Sequence, residues 1–126
     1  MKYRFRGFDA TGQKGWVYGD LVHNKKVTRT GLEDRVMVGG YEVVPNSVGL
    51  WIGINDCNGK PIFEGDVLCT VSDRDFLVKV EYDTDYMRFI GSGIRSNFSL
   101  VFIRNSSSTI EIIGNIYENK ELLKWK

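Results

Sequence analysis

The residues best suited to chemistry are carboxylates that recur at every second position. Glu81, Asp83 and Asp85 share this spacing, and Asp73 and Asp75 repeat it just upstream. Alternate side chains of an extended strand share one face, so such carboxylates can bind Mg²⁺ or act as an acid and a base. The same pattern is typical of a solvated strand edge that runs into a turn. Because no basic residue or histidine is spaced to complete a catalytic set, we predict no catalytic residues and no enzymatic activity.

Metal-ligating residues are few and scattered. The chain has one histidine and two cysteines, and a site would need His23, Cys57 and Cys69, with Asp66 as a further ligand. Structural zinc sites use paired spacings such as CxxC, and none occurs here. The sequence therefore predicts no metal, and we interpret the cysteines as two buried, reduced thiols.

A glycine-rich segment resembles the start of a dinucleotide-binding fingerprint. Gly91-Ser92-Gly93 has the first two glycines, but Ser96 occupies the final glycine position and no helical pattern follows. The fingerprint needs a helix N-terminus to hold the pyrophosphate. We interpret this segment as a loop and predict no cofactor.

Basic residues near the N-terminus offer a nucleic-acid site. Lys2, Arg4 and Arg6 alternate on one face of a predicted strand, and further cations follow in sequence at Lys14, Lys25, Lys26 and Arg29. The chain also has seven Phe, six Tyr and three Trp, and aromatic side chains beside a basic groove bind single strands by stacking. The alternative is that this face is simply solvated and that the aromatic residues, Phe5 among them, pack in the core.

Composition limits the classes that remain. The 126 residues carry a net charge of +1, which argues against wholesale electrostatic capture by nucleic acid or an anionic membrane. That balance conceals a dipolar chain, with +5 in residues 1–30, −7 in residues 31–87 and +3 in residues 88–126. Since no apolar stretch follows the basic N-terminus and no long apolar run occurs, we expect a cytoplasmic protein with no membrane segment.

Alternation of apolar and polar residues predicts an all-β chain. We expect strands at 3–6, 16–22, 41–44, 50–54, 66–71, 76–82, 86–90, 99–104 and 109–113, with the single histidine in a loop. Asn58-Gly59 is typical of a turn with positive φ. Asn119 is suited to cap a short C-terminal helix that ends at Lys126.

Five segments in this order resemble the YopX family of small bacteriophage and prophage proteins. They are Tyr3–Asp9, Val48–Lys60, Pro61–Leu68, Val78–Asp83 and Ile110–Asn119. The resemblance covers essentially the whole chain and implies an N-terminal β lobe (residues 1–55) with a C-terminal SH3-like barrel (residues 56–126). Separate cores for the two lobes and one core that they share both remain open. The motif residues have structural explanations. We expect Gly59 and Gly65 at positions where a side chain would obstruct the fold, and Ile110, Ile112 and Ile116 in the core of the barrel. The resemblance implies no particular activity and no catalytic residues.

These observations lead to one main hypothesis and one alternative. The main hypothesis is a non-enzymatic phage or prophage accessory protein that binds a protein partner or assembles with itself, because short strands leave edges that must be covered. The alternative is a nucleic-acid-binding small barrel that uses Lys2, Arg4 and Arg6.

Overall fold

A computed structural model of the protein describes residues 4–72, 77–84, 88–92, 97–99 and 109–119. Within these ranges the chain forms antiparallel sheets and one short 3₁₀ helix, Pro45–Ser47. It divides into two compact units, residues 1–51 and 52–126. The strands are β1 (Phe5–Phe8), β2 (Trp16–Gly19), β3 (Leu21–Thr28), β4 (Gly31–Val38), β5 (Tyr41–Val43), β6 (Gly49–Asn55), β7 (Pro61–Phe63), β8 (Asp66–Thr70), β9 (Val78–Asp83), β10 (Arg88–Ser92), β11 (Asn97–Ser99) and β12 (Ile110–Asn115).

The first unit is built around strand β1. β1 pairs with β2 on one side and with the first residues of β6 on the other, while β3, β4 and β5 form a separate sheet in that order. Two backbone hydrogen bonds tie the end of β1 to β5, from Val44 N to Phe8 O and from Ala10 N to Glu42 O, both 2.9 Å long. The core of this unit consists of Val17, Val38 and Val43, with Phe5, Leu21, Val36 and Val48 packed against them.

A loop that is held by hydrogen bonds to the Asp9 carboxylate joins β1 to β2. Asp9 is buried, and its side-chain oxygens accept hydrogen bonds from Thr11 N (3.2 Å), Thr11 Oγ1 (2.8 Å) and Lys14 N (3.0 Å). These bonds favour the charged form, so the pKa of Asp9 lies below its ordinary value, chiefly because of the Lys14 N–H. The same three bonds hold the loop in a defined conformation and favour the ionised form of Asp9.

The second unit contains a five-stranded sheet in the order β11-β10-β9-β8-β12. Its core is Ile62, Leu68, Val78, Val80 and Ile110, with Ile52, Ile54 and Ile112 packed against it. Asp56 holds the turn before β7 against β12: Oδ1 accepts from Asn58 N and Lys60 N at 2.9 Å, and Oδ2 accepts from Ile112 N at 3.1 Å. The Asp-x-Asn-Gly-Lys motif is thus a turn anchored to a distant strand.

The structure confirms the all-β prediction and corrects several details. His23 lies within strand β3, not in a loop, and strands β4 and β7 were not predicted. The predicted strand at 16–22 covers β2 but only the first two residues of β3, and the predicted strand at 99–104 meets β11 only at Ser99. Gly91 and Ser92 belong to β10, so the predicted loop does not begin there. Gly59 has the predicted positive φ, 80°, although no atom would obstruct a side chain at that position.

Other predictions concern the C-terminal part of the chain. Ile110 is buried and Ile112 is half-buried, but Ile116 is 39% exposed, so its assignment to the core was wrong. Residues 100–104 of the predicted strand at 99–104 and residues 120–126 of the predicted helix lie outside the described residues. Sequence reasoning placed the lobe boundary after residue 55, whereas the compact units divide after Trp51.

Candidate interaction surface

A β-hairpin extends beyond the three-stranded sheet of the first unit. β3 and β4 pair over eight positions, from Leu21↔Val38 to Thr28↔Gly31, but β4 pairs with β5 only at Val36, Met37 and Val38. Residues 24–35, here called the arm, are therefore two-stranded in the part of the chain that the structure describes. At the turn, Thr28 Oγ1 donates a 3.0 Å hydrogen bond to Gly31 O.

The arm exposes both of its faces. No residue from 24 to 35 is buried, and the cross-strand pair Val27 and Leu32 is 84% and 67% exposed. Val22, just before the arm on β3, is 46% exposed. The apolar side chains near the tip of this ribbon are therefore accessible to another molecule.

Charged pairs run across the middle of the arm. Lys25 Nζ lies 2.9 Å from Asp34 Oδ1, and this hydrogen bond with the attraction of the ammonium lowers the pKa of Asp34 below its ordinary value. Both side chains are largely exposed, at 62% and 87%, so the pair contributes little to stability. Lys26 reaches Glu42 on β5, with Nζ 3.0 and 2.9 Å from the two carboxylate oxygens.

A shallow groove of about 430 Å³ lies where the arm leaves the sheet. Among the residues that line it are His23, Lys25, Asp34, Val36 and Pro45. Its volume is within the range of about 300–1,000 Å³ that is common for ligand sites, but its residues are those of the arm's base and of the neighbouring 3₁₀ helix. We treat it as part of the same surface.

The predicted basic face is divided between different environments. Arg4 is exposed and its guanidinium lies 5.6 Å from the centroid of the Tyr18 ring. Arg6 is buried, at 8% exposure, and stacks over Trp16 at 4.5 Å, with Phe8 against the edge of the same ring at 5.4 Å. Lys2 lies outside the described residues. Arg4 is thus presented to solvent together with Tyr18, which is 46% exposed, whereas Arg6 takes part in packing.

Two of the alternating carboxylates belong to the same strand. Glu81 and Asp83 lie on β9, and Glu81 Oε2 is 3.3 Å from Lys79 Nζ. Asp73, Asp75 and Asp85 lie outside the described residues. No group of three or more His, Cys, Asp or Glu side chains that could hold a metal occurs among the residues that were placed.

The remaining metal-ligand candidates belong to different parts of the chain. His23 is exposed at the base of the arm in the first unit. Cys57 is half-buried and Cys69 is buried in the second, and both are free thiols. Asp66 is buried and accepts a 2.8 Å hydrogen bond from Phe63 N, which holds the turn between β7 and β8.

Sequence reasoning missed the arm, although a signal was present. The segment from Val22 to Val27 alternates poorly because Lys25 and Lys26 are adjacent, and β4 carries Glu33 next to Asp34. Adjacent charges on both strands are typical of a ribbon that has no buried face. The matching positions of the lysine pair and the acidic pair about a short turn were the signal that could have identified it.

The described residues form two β units, the first of which carries the exposed arm, and they define a small all-β protein. The YopX family, described as YopX protein, matches residues 4–124. The chain belongs to that family.

Structural comparison supports the same fold. The crystal structure of protein EF1440 from Enterococcus faecalis is similar to this chain, with a TM-score of 0.62 and 22% sequence identity over 98% of this chain and 99% of that one. A search of curated proteins finds no match. Among the described residues, no helix has the length and apolar character needed to cross a bilayer.

Proposed function

We propose that this protein is a non-enzymatic binding module that docks a protein partner, or a second copy of itself, on the arm. The observation that carries the proposal is the exposed apolar pair Val27 and Leu32 on a ribbon with no buried residue. Exposed apolar side chains that are rimmed by charge mark interaction sites. Here Lys25 and Asp34, which share a strand face with the apolar pair, supply that rim.

The backbone of the arm adds a second reason. Within the described chain, β3 is the outermost strand of its sheet and the β4 residues 31–35 pair on one side. Strand edges carry N–H and C=O groups that can pair with another chain. A ribbon with accessible edges and an apolar tip is suited to binding another chain.

Further parts of the proposal come from the family. YopX-like sequences resemble phage and prophage proteins, and we assign this protein to that group as an accessory protein of the cytoplasm. We also propose that the second unit is an SH3-like barrel, since five antiparallel strands in the order β11-β10-β9-β8-β12 are compatible with that architecture.

Photocrosslinking tests the proposal directly. A photoreactive amino acid replaces Leu32 in one variant and Gln13, an exposed loop residue of the same unit, in a matched control. After irradiation in the cells that naturally carry the gene, we expect a discrete covalent adduct from position 32 and none from position 13. The adduct should disappear when Val27→Glu is added. No adduct at position 32, or equal adducts at both positions, would refute the proposal.

A second candidate function is single-strand nucleic-acid binding at Arg4 and Tyr18. The observation that favours it is that both are exposed, with the cation near the aromatic ring. An arginine for phosphate and an aromatic ring for base stacking are the elements of such sites. The burial of Arg6 removes one of the three predicted contacts from solvent.

The test of this candidate uses Arg4 rather than both arginines. Because Arg6 packs on Trp16, Arg6→Ala would lower the melting temperature and confuse the result. Titration with labelled single strands at about 50 and 200 mM salt should show affinity that falls as salt rises. Arg4→Ala should weaken it without a change in melting temperature, and unchanged affinity would remove this candidate.

A further inference from the structure

The outer edge of β3 is a place where another strand can be added. In the described residues, β3 is the terminal strand of the β3-β4-β5 sheet, and the four residues Val22–Lys25 are all exposed. An extended peptide binds such an edge through main-chain hydrogen bonds, while its side chains give specificity. The question is which side chains this edge selects.

The charge order across the arm answers that question. Lys25 stands opposite Asp34, Lys26 opposite Glu33, and Val27 opposite Leu32. Opposite charges on facing residues stabilise an antiparallel pair, and like charges destabilise it. The inner side of β3 thus already places two acidic residues opposite the two lysines, and the outer side presents the same lysines with no acidic residue anywhere on β3.

From this arrangement we propose that the outer edge of β3 binds an extended acidic segment of a partner protein. The segment runs antiparallel to β3, with an apolar residue opposite Val27 followed by two acidic residues opposite Lys26 and Lys25. This inference rests on the proposed binding function and names the chemistry of the partner.

A second copy fits this edge poorly. β3 has the sequence Leu-Val-His-Asn-Lys-Lys-Val-Thr, so pairing two β3 strands brings lysines and histidine together and neither strand contributes a carboxylate. A two-fold pairing centred on Lys25 or Lys26 places a lysine opposite itself. Lysine on an edge strand is a recognised barrier to self-pairing, and it leaves the edge selective for acidic chains.

The two lysines can accept a second carboxylate without leaving their present partners. The Lys25–Asp34 pair is exposed, so its ammonium is not locked by burial, and an ammonium has three N–H donors. Lys26 Nζ contacts both oxygens of Glu42 and is about one-third exposed. A bound acidic strand would therefore extend an existing charge ladder.

Synthetic peptides test the inference. The probe is the capped peptide Ser-Val-Glu-Asp-Thr-Thr-Val-Thr, and the control replaces Glu-Asp by Lys-Lys. We expect the acidic peptide to bind about tenfold more tightly at 50 mM salt, with a smaller ratio at high salt. Its binding should slow amide hydrogen exchange along residues 22–27 and leave exchange in the second unit unchanged.

A charge-reversed variant provides the reciprocal measurement. Lys25→Glu with Lys26→Glu should prefer the lysine peptide, whereas Lys14→Glu with Lys60→Glu, which makes the same change in net charge at exposed sites off the arm, should keep the preference for the acidic one. Since the reversed lysines face acids within the chain, Lys25→Gln with Lys26→Gln is the safer variant, and it should lose the preference. Equal binding of both peptides to the wild-type protein, or the same loss of preference in the Lys14 and Lys60 variant, would overturn the inference.

The crosslinking experiment separates this inference from the proposed function. An adduct from position 32 whose partner contacts the arm through an acidic extended segment supports both. An adduct with a second copy, or with a partner lacking such a segment, keeps the binding function and overturns the acidic-strand inference. The absence of any adduct overturns the binding function itself.

Discussion

Replacing Gly7 by alanine provides a sharp test of the packing between β1 and β5. A Cβ atom at Gly7 would lie 2.8 Å from Cβ, Cγ1 and Cγ2 of Val43, whereas carbon atoms attract best at about 3.5–4.0 Å. Val43 is a core residue that is 2% exposed, so it has little room to move. The new methyl group must therefore displace the core of the first unit.

The size of the effect follows from two opposing contributions. Overpacking a well-packed core costs about 1–3 kcal/mol, and the loss of glycine's freedom in the unfolded chain offsets about 0.4–1 kcal/mol of that. We expect Gly7→Ala to lower the free energy of unfolding by about 1–2 kcal/mol. Urea denaturation followed by circular dichroism measures it.

A double-mutant cycle identifies the cause. Val43→Ala removes two of the three atoms that the new methyl would meet, and its own cost is about 2–3 kcal/mol from lost burial and the remaining cavity. In the double variant the methyl group partly fills that cavity. The combined loss should therefore be smaller than the sum of the single losses by about 1 kcal/mol or more.

Gly12→Ala is the matched control for this cycle. Gly12 has a φ of 77° and nothing lies within 4 Å of a Cβ placed there, so its substitution costs backbone strain without a clash. Its effect should add to that of Val43→Ala within about 0.5 kcal/mol. If Gly7→Ala also adds to Val43→Ala within that margin, the steric explanation is wrong.

Three further predictions concern the turn, the loop held by Asp9 and the arm. Asp56→Ala should lower the free energy of unfolding by about 2–4 kcal/mol, because it removes a buried carboxylate that accepts three backbone N–H bonds. Urea denaturation measures this loss, and a value below about 0.5 kcal/mol would contradict the anchoring role of Asp56. Asp9→Asn should be less stable than the wild-type protein at pH 7. The ionised Asp9 stabilises the fold above the carboxylate's ordinary pKa, and this stabilisation is lost as the pH falls through the lowered folded-state pKa, so the difference in melting temperature should shrink at low pH. A difference in melting temperature that does not change with pH would contradict this role of Asp9. Val27→Thr with Leu32→Thr should change the free energy of unfolding by no more than about 0.5 kcal/mol, because both side chains are exposed, and a larger loss in urea denaturation would give the apolar tip a folding role.

Strands with one buried face were predictable from the sequence because burial imposes a period of two. Val78 and Val80 illustrate this: both are buried on β9, and their alternation with Lys79 marked the strand. The Asn58-Gly59 turn was predictable for a similar reason, since a positive φ favours a small set of residues. Such local rules work at positions where the backbone conformation alone determines which residue types fit.

Burial near the ends of strands was less accessible to sequence reasoning. Arg6 alternates with Phe5 like any solvated cation, yet it is buried because Trp16 on the neighbouring strand covers its guanidinium. Ile116 has the character of a core residue but follows β12 in a turn and is exposed. In the first case a neighbour distant in sequence decides the burial, and in the second the end of the strand decides it. Neither changes the alternation of apolar and polar residues.

The arm was missed for a physical reason that also bears on its function. Periodicity arises when a core rewards apolar residues on one face, and the arm has no core on either face. What remains in its sequence is pairing between strands: lysines at 25 and 26 matched by acids at 34 and 33, and Val27 matched by Leu32. Selection for folding explains those pairs, since they hold the ribbon in register. The apolar pair nevertheless lies at the exposed tip and presents apolar surface to water. Our proposal that the arm binds a partner rests on that exposure, and so it rests on the residues that gave the weakest signal for secondary structure.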